Sequence, residues 1–160
     1  MANFLQAQKT ASQIKPARVK SEFFKYIRSI EKIFFDLNID QIEDSQNAEG
    51  QILQNKNKKF KGVYAASTKN FALIDGVTTP KVEGTPYNFL WTGEFLKGFE
   101  MFIRNGDLSF FSTGTGSGDK AAFFKGYDHL FGLTDDNLNR VIDSELLPFL
   151  LNYYQEKLAL

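Results

Sequence analysis

The middle of the chain reads NFLWTGEFLKGF over residues 88–99, an apolar run that stops at Thr-Gly-Glu and restarts at once. Thr92 is a residue type that caps helices, because its hydroxyl accepts hydrogen bonds from the free N–H groups of a first turn. Glu94 would lie in that turn, where negative charge is favoured. The stretch therefore predicts a short helix with one apolar face directed inward. That face carries Phe95, Leu96 and Phe99.

The segment after this stretch predicts a β-hairpin. Residues 99–104, FEMFIR, follow a period of two that only the apolar Phe102 interrupts, Asn105-Gly106 follows, and residues 108–113 form a second strand-like run. Asn-Gly accommodates the positive backbone dihedral angles of a tight turn, and alternate side chains of a strand face opposite sides. Because apolar side chains fall on both sides, we expect both faces to be partly covered, one by a helix and one by a further element or subunit. These side chains are Phe99, Met101, Ile103, Phe102, Phe110 and Phe111.

Apolar spacing predicts two longer helices. From Val19 to Leu37, apolar residues recur every three or four positions, which makes one stripe of an amphipathic helix. A last helix is predicted to begin after Thr134, because two aspartates follow it and are favoured in a first turn. Pro148 interrupts the apolar stripe of this helix, so we expect a kink or a break there.

These elements predict an α+β fold, in which amphipathic helices pack on a small antiparallel sheet with a central Asn-Gly hairpin. A chain of 160 residues, 42% of them hydrophobic, is long enough for one domain with a real core. Residues 1–15 are polar without a sustained period, which indicates a flexible arm or one weak helix. We predict a flexible N-terminal arm over residues 1–17, a single domain over residues 18–160, and a long functional loop over residues 38–59.

Composition excludes several classes of function. The chain has no cysteine and a single histidine, which removes disulfides, thiolate chemistry and most zinc sites. Nineteen basic residues balance nineteen acidic ones, and a net charge of +0 argues against a protein whose affinity depends on neutralising nucleic-acid phosphates. No apolar run approaches the length of a membrane span, about 18 residues, and residues 1–20 lack the apolar core of a signal peptide. We therefore expect a soluble protein made in the cytosol.

Two motifs invite a catalytic or ligand-binding interpretation, and neither has the required pattern. The glycine-rich run 113–120 ends in Lys120, but Asp119 stands where a phosphate-binding loop has glycine, so we interpret the run as a flexible strand-to-helix loop. Asp128-His129 is the only acid-histidine neighbour pair, and adjacent side chains point in different directions. We expect no enzyme activity, no catalytic residues, no cofactor and no metal site.

Charge is separated along the chain between residues 36 and 69. Residues 36–49 contain five acidic side chains and no basic one, whereas residues 51–69 contain five lysines and no acidic residue. Such blocks suit complementary contacts between neighbouring copies or with a partner, and the alternative is a solvated loop. In the first case, the predicted subunit interface comprises Asp36, Asp40, Glu43, Asp44, Glu49, Lys56, Lys58, Lys59 and Lys61.

Three short motifs occur in an order that resembles the tail-completion and virion-morphogenesis proteins of tailed bacteriophages, a family of small neck and minor tail components. Residues 90–96, LWTGEFL, resemble the Leu-x-x-Thr-Gly-x-Leu junction of that family. Glu49-Gly50, Tyr64 and Thr68-Lys69 precede it and are similar to the family pattern of Gly followed by Tyr or Thr and Lys. Residues 130–136, LFGLTDD, resemble the closing Phe-Leu-Gly-Leu-Ser-x-Glu segment that leads into a last helix.

The resemblance implies a structural virion protein, a neck or tail-completion component whose copies form a ring as a head-tail connector. Its implied partners are further copies and other virion proteins such as the portal, adaptor or tail-terminator proteins, with transient contact to genomic DNA in the channel. It implies no membrane contact and no small-molecule substrate, and a location in the virion after synthesis in the host bacterial cytoplasm. Two alternatives stay open, a protein-binding scaffold domain and a small hydrolase, which would need a deep pocket with convergent ionisable groups.

Overall fold

The computed structural model describes residues 4–12, 14–56, 63–68, 70, 72, 81–91 and 93–158, with residues 4–7 and 119 described by their backbone alone. Contacts divide the chain into two compact units, where the sequence predicted an arm and a single domain. The first comprises residues 1–34 and 137–160, and the second comprises residues 35–136. We call them the helical unit and the hairpin unit.

The predicted α+β fold class is confirmed. In chain order the described elements are α1 (Phe4–Ala11), α2 (Pro16–Ser29), α3 (Glu31–Glu43), α4 (Glu94–Lys97), β1 (Phe99–Arg104), β2 (Asp107–Ser112), α5 (Gly118–Lys125), α6 (Asp135–Val141) and α7 (Leu147–Leu158). A 3-10 turn, Thr113–Thr115, follows β2, and a π-helical turn, Ile142–Leu146, joins α6 to α7.

The predicted single helix from Val19 to Leu37 is in fact two helices. Helix α2 ends at Ser29, and Ile30 leaves the helical region with φ −109° and ψ 15°. The Ser29 hydroxyl donates a hydrogen bond of 2.6 Å to the Tyr26 carbonyl oxygen, which competes with the helical backbone at this point. At the chain start, part of the predicted arm is helical, as α1.

Helix α3 corrects the prediction of a loop from residue 38 onward. The helix continues to Glu43 and buries the polar side chains of Asn38 and Gln41 beside Ile42. Both amides are hydrogen-bonded to the carbonyl oxygen of Gly132, at 2.9 Å from Asn38 and 3.1 Å from Gln41. Because buried polar groups are tolerated when they are paired, these residues belong to a packed helix despite their loop-like composition.

The C-terminal helices are interrupted as predicted for Pro148. The Leu147 N–H group donates to the Ile142 carbonyl oxygen, five residues back, which is the bond of a π turn. Proline has no N–H group, and in an α-helix its ring collides with the carbonyl four residues earlier. The wider π turn accommodates Pro148 without that collision. Helix α6 begins at Asp135, directly after Thr134, with both predicted aspartates in its first turn.

The helical unit is held together by aromatic contacts of α2 with α7. Tyr26 and Phe149 stack with ring centroids 4.2 Å apart, and Phe23 lies 6.3 Å from Phe149. The Tyr26 hydroxyl donates to the Glu145 carboxylate at 3.0 Å. Ile27 is buried in the same unit. The predicted inward stripe is therefore confirmed along α2, and beyond the break its member Phe34 is buried as well.

Strands β1 and β2 pair antiparallel, with Arg104 opposite Asp107 and the turn at Asn105-Gly106. Asn105 and Gly106 have φ values of 56° and 99°, the positive angles expected for this turn. Burial alternates along β1 as predicted. The outer face is exposed within this chain, since Phe102 and Phe111 keep 48% and 39% of their surface accessible. The expectation that both faces are covered therefore fails for a single copy, and coverage by another subunit stays a prediction.

The core of the hairpin unit is aromatic. Phe95 stacks on Phe124 with centroids 4.3 Å apart, and it lies 5.4 Å from both Phe89 and Phe99. The predicted inward orientation of Phe95 and Phe99 is confirmed, because both are buried. The N-cap position of α4 is occupied by Gly93 with φ 77°, so the prediction of Thr92 in that position is wrong. Thr92 itself lies outside the described residues.

The glycine-rich connection from β2 to α5 is an ordered 3-10 turn, where the sequence predicted a flexible loop. Ser112 accepts a hydrogen bond from the Gly114 N–H group at 3.0 Å and donates one to the Phe95 carbonyl oxygen at 2.5 Å. A side chain at Gly114 would collide with the Glu94 carbonyl group. Glycine is therefore required here for a close approach of two backbones.

Candidate functional site

The acidic part of the predicted interface forms one face of α3. Asp36, Asp40 and Glu43 are exposed and follow one another at helical spacing, on the side opposite the buried Asn38 and Ile42. Asp44 follows directly after the helix and is also exposed. Like charges at this spacing repel one another, so a basic partner would stabilise the helix. We call these four residues the acidic face.

Glu49 and Lys56, two further residues of the predicted interface, have charged or polar partners in the segment of residues 128–129. The Glu49 carboxylate lies 3.2 Å from Nε2 of His129, and the Lys56 ammonium forms an ion pair with Asp128. These pairs flank a backbone contact in which the Ala48 N–H group donates to the His129 carbonyl oxygen at 2.8 Å. Asp128 and His129 thus have separate partners and form no dyad. Lys58, Lys59 and Lys61 lie outside the described residues.

A continuous apolar stripe is exposed along α6, the π turn and α7. Its members keep between 38% and 55% of their surface accessible. Successive members are four, five, four and three residues apart, and the five-residue step coincides with the π turn. Because the π turn adds one residue to the helical repeat, it keeps the stripe on one side. This apolar stripe consists of Leu138, Ile142, Leu147, Leu151 and Tyr154.

The hairpin unit contains an aromatic cavity of about 530 Å³. Seven aromatic side chains line it, and Thr68, Gly93, Glu94 and Lys120 complete the lining. Tyr87 and Phe123 meet with centroids 5.4 Å apart, and Phe89 lies 5.8 Å from Phe123. The walls are therefore packed against one another. The seven are Tyr64, Tyr87, Phe89, Trp91, Phe95, Phe123 and Phe124.

A buried lysine holds the segment that carries three of these rings. Lys81 is 4% exposed, and its ammonium donates to Oδ1 of Asn88 at 2.8 Å and to the Leu90 carbonyl oxygen at 2.5 Å. It also lies 5.2 Å from the centroid of the Tyr64 ring, within the range of a cation–π contact. Burial lowers the pKa of Lys81. The Tyr64 hydroxyl donates to the same Asn88 oxygen at 2.7 Å, which ties this wall to the network.

The rim of the cavity carries an ion pair. Oε2 of Glu94 lies 2.7 Å from Nζ of Lys120, and both side chains are exposed. The hydrogen bond and charge of Lys120 lower the pKa of Glu94, with a smaller contribution from Lys97. Burial raises the pKa of Tyr64 and Tyr87, so both phenols are harder to ionise than an exposed tyrosine.

This lining differs from the pocket that the hydrolase alternative requires. Its carboxylate and ammonium, from Glu94 and Lys120, are bound to each other instead of converging on a reacting atom. The arrangement is better suited to binding a ligand with an apolar body and one polar end than to catalysing hydrolysis, because aromatic rings form the walls and charge is confined to the rim. The sequence contained one usable signal for the cavity, the clustering of rings in residues 87–95, but none for the burial of Lys81.

Among the described residues, no three histidine, aspartate or glutamate side chains come together as metal ligands. No described helix is both long and apolar enough to cross a bilayer. Comparisons of the chain with protein-family models, with curated proteins and with solved structures found no match.

Proposed function

We propose that this protein is a structural component of a tailed-bacteriophage virion, a neck or tail-completion protein whose copies form a ring between portal and tail. The order of the Thr-Gly junction, the hairpin and the LFGLTDD segment, residues 130–136, supports this assignment to the family that the chain resembles. The observation that carries the assembly role is the apolar stripe, because large exposed apolar patches mark protein contacts.

The apolar stripe has the dimensions of a helix-packing surface. It extends from Leu138 to Tyr154, which at about 1.5 Å per residue is roughly 25 Å along the helices. The opposite side of α7 also carries an apolar ring, Phe149, in its stack with Tyr26. A helix that is apolar on both sides is normally buried on both sides, so a partner surface is expected to cover the stripe.

A ring requires two different surfaces on each copy, because its contacts join one face of a subunit to another face of the next. The acidic face of α3 and the lysine-rich segment, residues 51–69, supply one complementary pair of surfaces, and the apolar stripe supplies a further, apolar contact. In the proposed assembly the acidic face meets the lysine-rich segment of the neighbouring copy. Lys56 then exchanges or shares its ion pair with Asp128 when copies join.

The apolar contact is tested with the double variant Leu147→Ser, Leu151→Ser. We expect the unmodified protein to form rings in native mass spectrometry and negative-stain microscopy, and the double variant to remain a folded monomer. Ile52→Ser is the matched control, since Ile52 is an exposed aliphatic residue of the hairpin unit that lies outside the stripe. Rings that persist in the double variant would rule out the stripe as the contact.

The polar contact is tested by charge reversal. Replacing Lys56, Lys58, Lys59 and Lys61 by Glu should impair assembly and leave the monomer folded, as judged by circular dichroism. Lys125→Glu serves as the control, because Lys125 is an exposed lysine at the end of α5. Unchanged assembly of the fourfold variant would contradict the contact between acidic face and lysine segment.

The virion assignment itself is tested by the genes that flank the coding sequence. A portal, capsid or tail-tube gene is expected beside it, and a metabolic operon in that place would contradict the proposal. Stable complexes of one copy with an unrelated protein, with no ring in any condition, would instead favour the scaffold-domain alternative.

A further inference from the structure

We propose that the aromatic cavity of the hairpin unit binds a small amphiphilic anion, a ligand with a planar aromatic body and one carboxylate or sulfonate head. The site is independent of the contacts between subunits of the proposed assembly. The ligand is bound without being chemically converted. The resemblance to virion proteins implies no small-molecule substrate, so it did not predict this binding site.

The size and walls of the cavity fit the aromatic body. Its volume of about 530 Å³ lies within the range of roughly 300–1,000 Å³ that small-molecule sites occupy. Phe95 and Phe124 stack at 4.3 Å, and Phe89 packs on Phe124 at 5.7 Å, so these walls are held by each other without a ligand. A preformed ring-lined wall accepts a further ring at stacking or edge distance with little reorganisation.

The charges at the cavity favour an anionic head. Lys120 lines the rim and directs one of its three ammonium N–H donors to Glu94, which leaves donors for a second acceptor. Lys97 lies beside the rim, where its side chain approaches Gly93. Lys81 adds a third ammonium, 5.2 Å from the Tyr64 ring centroid, so among the side chains that the structure describes around the cavity three lysines stand against one carboxylate, that of Glu94. The excess of positive charge attracts a carboxylate or sulfonate placed at the rim.

The same arrangement disfavours a cationic ligand, which is the usual guest of an aromatic cage. The Lys81 ammonium already lies 5.2 Å from the Tyr64 ring centroid. A second cation on the cavity side of that ring would share its electron density and meet the excess positive charge of the lysines. An anionic head at the rim, with its apolar body between the rings, avoids both penalties.

Trp91 makes the proposal directly measurable, because it lines the cavity and is the single tryptophan of the chain. The protein is titrated with three probes that share one naphthalene body, namely 2-naphthoate, 2-naphthalenemethanol and 2-naphthylmethylammonium. Emission of Trp91 is recorded against N-acetyltryptophanamide to correct for absorption by the probes. We expect saturable changes, with naphthoate binding on the order of fivefold more tightly than the alcohol and the cation binding most weakly.

Two matched variants of α5 locate the head group. Lys120→Gln should weaken naphthoate binding about fivefold and leave the alcohol unchanged, whereas Lys125→Gln should leave both unchanged. Glu94→Gln should tighten naphthoate binding, because it frees Lys120 from its present partner. Circular dichroism and the thermal midpoint check that each variant is folded.

Three outcomes overturn the proposal. The first is the absence of a saturable change with all three probes in the unmodified protein. The second is tighter binding of the cation than of naphthoate. The third is equal naphthoate affinity in Lys120→Gln and the unmodified protein. Because the probe series uses the unmodified chain, a variant that fails to fold does not prevent a decision.

Discussion

The two units contain similar apolar side chains but bury them to different extents. In the hairpin unit, Phe95 and Phe99 are at most 7% exposed and each ring meets several others. In the helical unit, Leu147 and Leu151 are 47% and 55% exposed. The hairpin unit therefore buries its central rings within one copy, although Phe102 and Phe111 stay exposed on the outer face of the hairpin, whereas the helical unit leaves a continuous apolar stripe accessible.

The physical basis of this difference is the number of neighbours available to each side chain. Full burial of a leucine or phenylalanine side chain contributes about 1.5–3 kcal/mol. Phe95 obtains this from rings on several elements, since it meets Phe89, Phe99, Phe124 and Phe131. Leu151 forgoes much of it in a single copy, and an assembly that covers the stripe would recover it.

The largest expected effect is that of Phe95→Ala, which should lower the free energy of unfolding by about 3–5 kcal/mol through the cavity it leaves. Phe149→Ala in the helical unit should cost roughly half of that, because Phe149 is only partly buried and its main stacking partner is Tyr26. Urea unfolding of both variants measures the difference. Equal losses of unfolding free energy in the two variants would contradict the difference in burial between the two units.

Asn38→Ala should cost about 1–3 kcal/mol, because it leaves partly buried backbone groups of Gly132 with fewer hydrogen bonds. Asn38 is 0% exposed, donates to the Gly132 carbonyl oxygen, and accepts from the Gly132 N–H group at 3.4 Å. Asn152→Ala on the exposed surface of α7 is the control and should be nearly neutral. A neutral Asn38→Ala would mean that this polar burial does not stabilise the hairpin unit.

The buried ammonium of Lys81 predicts a pH dependence specific to the hairpin unit. Burial lowers the pKa of Lys81 from its usual 10.5, so between the two values the unfolded chain binds more protons and stability rises with pH. The variant Lys81→Met should lack this rise. Urea unfolding at several pH values up to 10 measures how the free energy of unfolding changes with pH in the variant and in the unmodified protein. Equal slopes in the two proteins would contradict the assignment of the rise to Lys81.

The smallest expected effect is that of Leu151→Ala, which should change the stability of the dilute monomer by less than about 0.5 kcal/mol. The side chain is more than half exposed, so little buried area is lost. Thermal unfolding at low protein concentration measures this value. A loss close to that of Phe149→Ala would show that the stripe is buried within one copy, and would remove the contrast between the units.

Local patterns predicted the hairpin, the interruption near Pro148 and the start of α6. Each depends on residues adjacent in sequence: the positive dihedral angles of Asn105-Gly106, the missing N–H group of proline, and aspartates in a first turn. The acidic face also follows from local spacing, once α3 is known to reach Glu43. Short-range steric and hydrogen-bonding rules are enough for such elements.

The features that sequence patterns missed depend on distant partners. Asn38 and Gln41 indicate a loop by composition, and they are helical because Gly132 satisfies their amides more than ninety positions away. Lys56 and Glu49 look available for an interface, but Asp128 forms an ion pair with Lys56 and the imidazole of His129 lies 3.2 Å from the Glu49 carboxylate. No spacing rule identifies a partner at such a separation.

The sequence by itself determined the hairpin and its turn, the interruption near Pro148, the start of α6 and which faces are apolar, because these follow from the preferences and spacing of neighbouring residues. Tertiary structure alone decided which of those apolar faces are covered. It packed aromatic side chains around Phe95 and formed the cavity beside them. It also buried Lys81 and left the apolar stripe of α6 and α7 exposed. Burial is a property of distant segments brought together, so it appears only when the chain is folded.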